Sequence, residues 1–311
     1  MIWLAVGCAI ASAFFMAFGA QRQGSAVKNN TSGLALGGSN FASLLRNPRW
    51  ILGLVLLATG LLLNATALSL GTLTVIQPIG AIALVITTVV NSRDQGIQLN
   101  RATVVAIVAC VAGSAAFVLL ALNVVRENNS ITRHEEITVV LLLLLVVMIF
   151  GGAAVALRRR LKAFFYIIGA GVLFGFVAVM TKIIAKQIFN PNGLGLANIE
   201  WYSIAAIIAA GGLGSWFVQS AYASGPPDLV IAGLTVIDPM VGIAIGIVIL
   251  NELQSDVPGV VAIAMAVAAL IAIVGVVALS RHHPDVIKRR GNSRKNSRRS
   301  ARKAAKRAWR P

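Results

Sequence analysis

The feature that most constrains this chain is a series of apolar runs, each long enough to cross a lipid bilayer. A membrane-spanning helix needs about 20 apolar residues. Nine segments meet that length: residues 2–20, 50–68, 72–90, 103–122, 137–157, 163–185, 203–223, 229–250 and 258–280. The sequence therefore predicts an all-α polytopic membrane protein with about nine transmembrane helices.

The charge of the chain is concentrated at its C-terminus. Only 12% of the residues are charged, whereas a soluble domain has about 25%. The net charge is nevertheless +17, and residues 281–311 hold 13 of the 27 Lys and Arg and one of the 10 acidic residues. These numbers exclude an ordinary water-soluble domain. They predict a nearly uncharged membrane body followed by a basic, disordered tail.

The basic residues also predict an orientation in the membrane. No positive residue precedes the first apolar run, whereas Arg22 and Lys28 follow it, which is the opposite of the charge order in a signal peptide. With the N-terminus outside, the cytoplasmic loops hold 10 Lys and Arg and the outer loops hold 3. Cytoplasmic loops carry the excess of Lys and Arg. We therefore expect a multi-pass plasma membrane protein with a cytoplasmic C-terminus.

A short repeat divides the chain into two halves. Residues 73–78 read LTVIQP and residues 234–239 read LTVIDP, so five of six positions are identical. We assign a first repeat to residues 1–122, a connector span with a basic loop to 123–162, a second repeat to 163–280 and the tail to 281–311. Since one span separates the four-helix repeats, they are inverted with respect to each other. In secondary transporters with this arrangement the substrate site lies near the membrane midplane, at the repeat interface.

The order of these features resembles the drug/metabolite transporter superfamily of the EamA type. The likeness is carried by the segments Gly71–Ala81 and Leu234–Glu252, which combine a small-residue turn, an inner proline and, in the second half, Asn-Glu. The most similar branch is that of the NIPA-type magnesium transporters. The resemblance implies a transporter of a small solute or cation, with Mg²⁺ among its candidate substrates, and not an enzyme.

Asp238 is the only acidic residue in the middle of a predicted span. Because a charge there is costly, such residues commonly mark ion or proton pathways. We expect Asp238 to bind a cation, as a metal ligand, or to carry a coupling proton. The alternative is a structural carboxylate that is neutral or paired with Lys182. Gln77 occupies the matching position of the first repeat and can coordinate but not titrate.

Two prolines extend this candidate site. Pro78 and Pro239 each remove a helix hydrogen bond, which leaves the carbonyls of Thr74 and Thr235 unpaired. Each repeat would then offer a carbonyl, a hydroxyl and a Gln or Asp side chain within one turn. Oxygen ligands of this kind suit hard cations. The alternative is a simple proline kink.

Other polar residues and glycines remain open to two interpretations. Asn64, Gln219 and Ser220 either line the same cavity or form hydrogen bonds between helices. Lys182 is a counter-ion, an anion-binding residue or a side chain that extends to the interface. Close helix packing is expected at Gly171, Gly175, Gly211, Gly212, Gly214, Gly242 and Gly246.

The tail and the function class complete the expectations. We expect the tail to bind anionic lipid headgroups through Arg289, Arg290, Arg298 and Arg299, and nucleic acid binding is disfavoured because only Trp309 could stack on a base.

The alternatives to a cation carrier are an exporter or flippase for a metabolite, drug or lipid precursor, and a non-transporting assembly partner or sensor. No cofactor is expected beyond a coupling H⁺ or cation, and a homodimer is open.

Overall fold

The computed structural model describes residues 2–30, 43–70, 86–90, 93, 100–122, 124–125, 131–157, 161–188, 200–254 and 257–282. These residues form α1 (Ile2–Asn30), α2 (Pro48–Leu70), α3 (Arg101–Ala121), α4 (Arg133–Ala156), α5 (Ala163–Ile188), α6 (Trp201–Ser224), α7 (Pro227–Val248) and α8 (Gly259–His282). Seven of the eight are long and apolar enough to cross a membrane, and α2 contributes the shorter apolar helix Pro48–Asn64. The protein is therefore an all-α polytopic membrane protein, as predicted. Of the predicted span 72–90, only residues 86–90 lie in the described ranges, and they are helical.

The first helix is longer than its apolar run. The predicted span ended at residue 20, but α1 continues to Asn30. The extension contains no proline, and it buries Gln23, Ala26 and Val27 on one face while Arg22 is exposed. Periodic burial of one face stabilises a polar helical segment that a hydropathy criterion misses.

Capping residues fix two of the helix starts. The Asn100 side chain accepts a hydrogen bond from the Thr103 backbone N–H at 2.7 Å and so begins α3. Thr132 and Glu135 form a capping box that begins α4. Such caps satisfy backbone donors that the first turn leaves without partners.

Glycines allow particular pairs of helices to pack closely. In α5, a methyl group at Gly171 would lie 2.7 Å from Ile237 Cβ, and one at Gly175 would lie 2.7 Å from Val241 Cβ. Because both contacts advance in the same chain direction, α5 and α7 run parallel and their backbones approach closely. Comparable contacts hold α1 against α2 and α5 against α6, each pair being antiparallel.

The contact between α3 and α8 is symmetric. A methyl group at Gly113 would lie 2.6 Å from the Ala272 nitrogen, and one at Gly275 would lie 2.7 Å from the Cys110 nitrogen. Each of these methyl groups would also lie 3.0 Å from one carbonyl, that of Ala268 or Ala106, respectively. Adding 162 to the α3 residue and subtracting 162 from the α8 residue turns each contact of Gly113 into the corresponding contact of Gly275. The two helices thus present the same face to each other.

The expectation of close packing at Gly211 and Gly212 is wrong. No atom other than neighbouring backbone lies within 4 Å of a methyl group placed at either position. The glycine-rich stretch of α6 faces outwards there. Of its three glycines, only Gly214 lies against α5, since a methyl group there would be 3.5 Å from the Phe174 ring. Spacing alone did not indicate which side of α6 is covered.

One of the two most apolar helices, α4, is also the least buried of the candidate spans. Only 17% of the most apolar 18-residue window of α4 is buried, against 61% for α5. Leu141, Met148 and Val155 of α4 are among the exposed large apolar side chains. The outer face of α4 is therefore apolar, as a helix that borders lipid requires.

The bundle has two ends that differ in chemistry. We call the end formed by residues 21–24, 48–50 and 219–228 the proximal end, and the end formed by residues 131–136, 182–188 and 249–254 the distal end. At the distal end, the Asn251 amide donates to the Glu135 carboxylate at 3.0 Å, and Arg133 lies 3.3 Å from Glu200. At the proximal end, hydrogen bonds join the Trp50, Gln219 and Gln23 side chains, and Asp228 is fully buried.

Candidate functional site

A cavity of about 390 Å³ lies between α1, α2, α5, α6 and α7. Its walls are mainly apolar, with aromatic rings from Trp50, Phe174 and Tyr222. The remaining lining residues are Met16, Ala20, Gln23, Leu54, Leu57, Ser215, Val218, Gln219, Ile231, Leu234 and Thr235. None of the lining side chains is charged, so the cavity offers amide and hydroxyl oxygens rather than carboxylates.

A chain of neutral hydrogen bonds crosses the proximal part of the cavity. The Trp50 indole N–H donates to the Gln219 amide oxygen at 3.0 Å, and the Gln219 amide nitrogen donates to Gln23 Oε1 at 3.0 Å. All three side chains are buried, with exposed fractions of 5% or less. The bridge joins α1 and α2 to α6, so it connects helices of the two predicted repeats. Gln219 therefore both lines the cavity and bonds between helices.

The hydrogen bonding of α7 around Pro239 departs from the prediction. Pro239 lies inside the helix, but the Thr235 carbonyl that it leaves without a helix donor is not free. The Ser114 hydroxyl of α3 donates to this carbonyl at 3.0 Å. The Thr235 hydroxyl donates to the Ile231 carbonyl at 2.8 Å. Thr235 thus lines the cavity as predicted, but its carbonyl is turned to a neighbouring helix instead.

Asp238 lies beside the cavity, not in its wall. It is half-buried on α7, three residues after Thr235 and therefore on the same side of the helix. Its backbone contacts α5, since a methyl group at Gly175 would lie 3.0 Å from the Asp238 carbonyl oxygen. Within the described ranges, no hydrogen bond or ion pair engages its carboxylate.

Lys182 pairs with a different carboxylate from the one considered in the sequence. Its ammonium nitrogen lies 2.6 and 2.7 Å from the two oxygens of Glu252. The alternative in which Lys182 neutralises Asp238 is therefore wrong. Glu252 is only 3% exposed, and it reaches Lys182 because the chain turns back after α7.

The remaining predicted residues stand apart from the cavity. Asn64 is half-buried on α2 and Ser220 is fully buried on α6, and neither lines the cavity. Thr74, Gln77 and Pro78 lie outside the described residues. The same holds for the tail arginines Arg289, Arg290, Arg298 and Arg299.

Sequence reasoning missed several buried polar groups, among them Gln23 and Glu136. Gln23 was placed in a loop because it follows the apolar run, yet it lies on the buried face of α1. Glu136, at the distal end, is 4% exposed and accepts hydrogen bonds from Gln187, at 2.9 Å, and from Ser203. In both cases the signal was a polar residue at helical spacing from buried neighbours. In the described part of the chain, no group of three or more His, Cys, Asp or Glu could hold a metal ion.

Comparison with known proteins now identifies the family. Residues 2–181, more than half of the chain, match the family described as magnesium transporter NIPA. The chain belongs to the NIPA magnesium transporter family. It is also 30% identical to an uncharacterized protein of Corynebacterium glutamicum over 280 residues, which cover 89% of this chain and 95% of that protein. No solved structure matches the chain. This NIPA-family chain is thus a multi-pass membrane transporter, and the cavity between its helices is the candidate path of its cargo.

Proposed function

We propose that this protein is a secondary transporter that carries Mg²⁺ through the membrane by alternating access. The observation that carries the proposal is the cavity, which lies between helices of both predicted repeats and is crossed proximally by the Gln219 bridge. A substrate site at a repeat interface is the arrangement that inverted-repeat carriers use. Family membership supports a transport function, and the chemistry of the cavity supports a small, hydrated cargo.

The symmetric contact of α3 with α8 supports the division into two inverted repeats. Each helix uses the corresponding face for this contact: Gly113 lies against Ala272, and Cys110 lies against Gly275. An interface in which residue i contacts j and the counterpart of j contacts the counterpart of i is that of a twofold axis. We infer that residues 1–122 and 163–280 are the two repeats, with α4 and its basic loop as the connector.

The cavity suits a cation that keeps its water. Six water molecules at about 30 Å³ each occupy roughly 180 Å³, which fits within the cavity volume. Mg²⁺ gives up its waters reluctantly and usually keeps several of them. The amides of Gln23 and Gln219 and the hydroxyls of Ser215 and Thr235 would bind those waters rather than the bare ion. The rings of Trp50, Phe174 and Tyr222 add attraction for a cation.

Asp238 supplies the negative charge in this proposal. It lies on the cavity side of α7, one turn beyond Leu234, and no described side chain forms an ion pair with its carboxylate. A single carboxylate attracts the cation without removing its hydration shell. The same carboxylate would carry the proton if transport is coupled to H⁺.

Uptake by purified protein in liposomes tests the proposal. An internal Mg²⁺-sensitive dye should report saturable uptake driven by an external gradient. Hexaamminecobalt(III), which has the size of a hydrated Mg²⁺ and does not exchange its ligands, should compete with Mg²⁺. Absence of Mg²⁺ uptake would overturn the proposal. Mg²⁺ uptake that hexaamminecobalt(III) does not inhibit would support a Mg²⁺ carrier but contradict the proposal that the ion is carried with its hydration shell.

The aromatic and aliphatic lining favours one second candidate, a carrier of an organic metabolite, drug or lipid precursor. Trp50, Phe174 and Leu54 would contact such a solute directly. The same liposomes separate the two candidates, because a panel of organic cations should then compete or be exchanged while Mg²⁺ flux is absent. In either case the orientation is proposed to be N-terminus outside and tail inside, where the tail would bind anionic lipids.

A further inference from the structure

The hydrogen bond that Pro239 removes from α7 is replaced from another helix. The Ser114 hydroxyl of α3 donates to the Thr235 carbonyl at 3.0 Å, and Thr235 lines the cavity. A carbonyl inside a membrane span that has no donor costs free energy, so the backbone of α7 around Pro239 keeps this arrangement only while α3 stays in place. We propose that Ser114 is a positioning residue, which fixes the backbone of α7 around Pro239 and thereby the placement of Asp238 beside the cavity.

The position of Ser114 is itself fixed by packing. Its neighbour Gly113 lies so close to α8 that a methyl group would be 2.6 Å from the Ala272 nitrogen. Ser114 is 6% exposed and does not line the cavity. It therefore contacts no cargo, and any effect on transport must pass through α7. Only the part of this inference that concerns Mg²⁺ transport rests on the proposed function.

The chain contains a natural counterpart without the hydroxyl. Val276 follows Gly275 on α8 as Ser114 follows Gly113 on α3, and it is equally buried, at 2% exposure. Its Cγ1 lies 4.0 Å from the methyl position of Gly233 on α7. Val276 thus also packs against α7, near the turn that Ser114 contacts, but it cannot donate a hydrogen bond. Its substitution controls for packing at this symmetric interface.

The test compares Ser114→Thr with Ser114→Val, since these side chains have the same shape and differ in one hydroxyl. Both are made in the natural chain and in Pro239→Ala, which restores the backbone N–H that serves the Thr235 carbonyl. In the natural chain we expect the valine variant to have an apparent KM for Mg²⁺ about tenfold above that of the threonine variant. The maximal rate should change by less than about twofold, because Ser114 places Asp238 but does not touch the cargo.

The Pro239→Ala background completes the double-mutant comparison. With Pro239→Ala, the threonine and valine variants should have the same KM, because the helix now provides the donor. An equal difference in both backgrounds, or none in the natural chain, would overturn the proposal. Val276→Ala should leave KM unchanged within about twofold. A tenfold rise in KM from this control would assign the effect to packing.

Thermal unfolding keeps the two proposals distinguishable. The threonine variant should unfold at a higher temperature than the valine variant in the natural chain and at the same temperature in Pro239→Ala. This readout needs no cargo, so it tests the role of Ser114 even if no Mg²⁺ uptake is observed. Unfolding temperatures that differ equally in both backgrounds would exclude the action of Ser114 through the Thr235 carbonyl.

Discussion

Lys182 and Glu252 form an ion pair in which the ammonium nitrogen lies within 2.7 Å of both carboxylate oxygens. The pair ties α5 to the segment that follows α7 at the distal end. Asn251 precedes Glu252 with a φ of 51°, a left-handed conformation that asparagine tolerates better than most residues. The turn points the Glu252 side chain back into the bundle, where Gly246 leaves room for it, since a methyl group there would be 2.8 Å from Glu252 Oε2.

Removing the lysine should destabilise the fold more than removing both charges. Lys182→Met leaves the buried Glu252 unpaired, which we expect to lower the free energy of unfolding by about 3 kcal/mol. The double variant Lys182→Met with Glu252→Gln should recover much of that loss. Chemical unfolding in detergent measures both. A single variant no less stable than the double variant would show that the pair contributes little.

Asp238→Asn should abolish Mg²⁺ uptake while the protein still inserts and folds. The amide keeps the shape of the side chain but has no charge with which to attract the cation. Since a charge inside a span costs at least about 2.5 kcal/mol on insertion scales, its removal should not weaken insertion. Glu200→Gln, which removes a charge at the distal end, should retain uptake. Unchanged uptake in Asp238→Asn would remove this residue from the site.

Gln219→Leu should loosen the proximal closure of the cavity. It removes both hydrogen bonds of the bridge, whereas Trp50→Phe removes one. A cysteine at the cavity position Ser215, in a background with Cys8 and Cys110 replaced by alanine, should react faster with a water-soluble thiol reagent in Gln219→Leu. Trp50→Phe should show an intermediate rate. Trp201→Phe is the matched control, because Trp201 is 76% exposed. Equal rates in all four proteins would mean that the bridge does not close the cavity.

Gly113→Ala and Gly275→Ala should destabilise the protein by similar amounts. Each adds a methyl group less than 3 Å from backbone of the partner helix, so α3 and α8 must separate. Overpacking of this kind costs about 1–3 kcal/mol. Gly212→Ala should be neutral or stabilising, because nothing lies within 4 Å of the new methyl group. Thermal unfolding of the three variants measures this. A clear inequality between Gly113→Ala and Gly275→Ala would argue against the symmetric interface.

The sequence was sufficient for the helices but not for the partners of their polar side chains. Apolar runs locate spans because lipid requires them, and the spacing of Gly171 and Gly175 indicated close helix packing without naming α7 as the partner. Lys182 and Glu252 are separated by 70 residues, and their pairing depends on the parallel register of α5 and α7 and on the turn at Asn251. The residues next to Lys182 in the sequence do not indicate that it pairs with Glu252.

The same limit applies to the cavity. Thr235 and Gln219 were identified because a polar residue in an apolar span is conspicuous. Gln23 and Ser114 were missed, the first because it follows the apolar run and the second because a single serine is common in such helices. Their roles depend on which helices pack together, and several long-range contacts must be known before either role can be inferred. The first-half counterparts Thr74 and Gln77 lie outside the described residues and stay predictions.

The neutral bridge of Trp50, Gln219 and Gln23 has a consequence for the kind of transport that is available. Two uncharged hydrogen bonds contribute about 1–3 kcal/mol together. In the proposed alternating-access cycle they would favour the closed over the open form by only about 5- to 150-fold. An unloaded carrier can then reopen by thermal motion and return to the other face. A carrier of this kind can perform net uniport down a gradient, whereas one whose cavity was locked by buried charges would be confined to exchanging one ion for another.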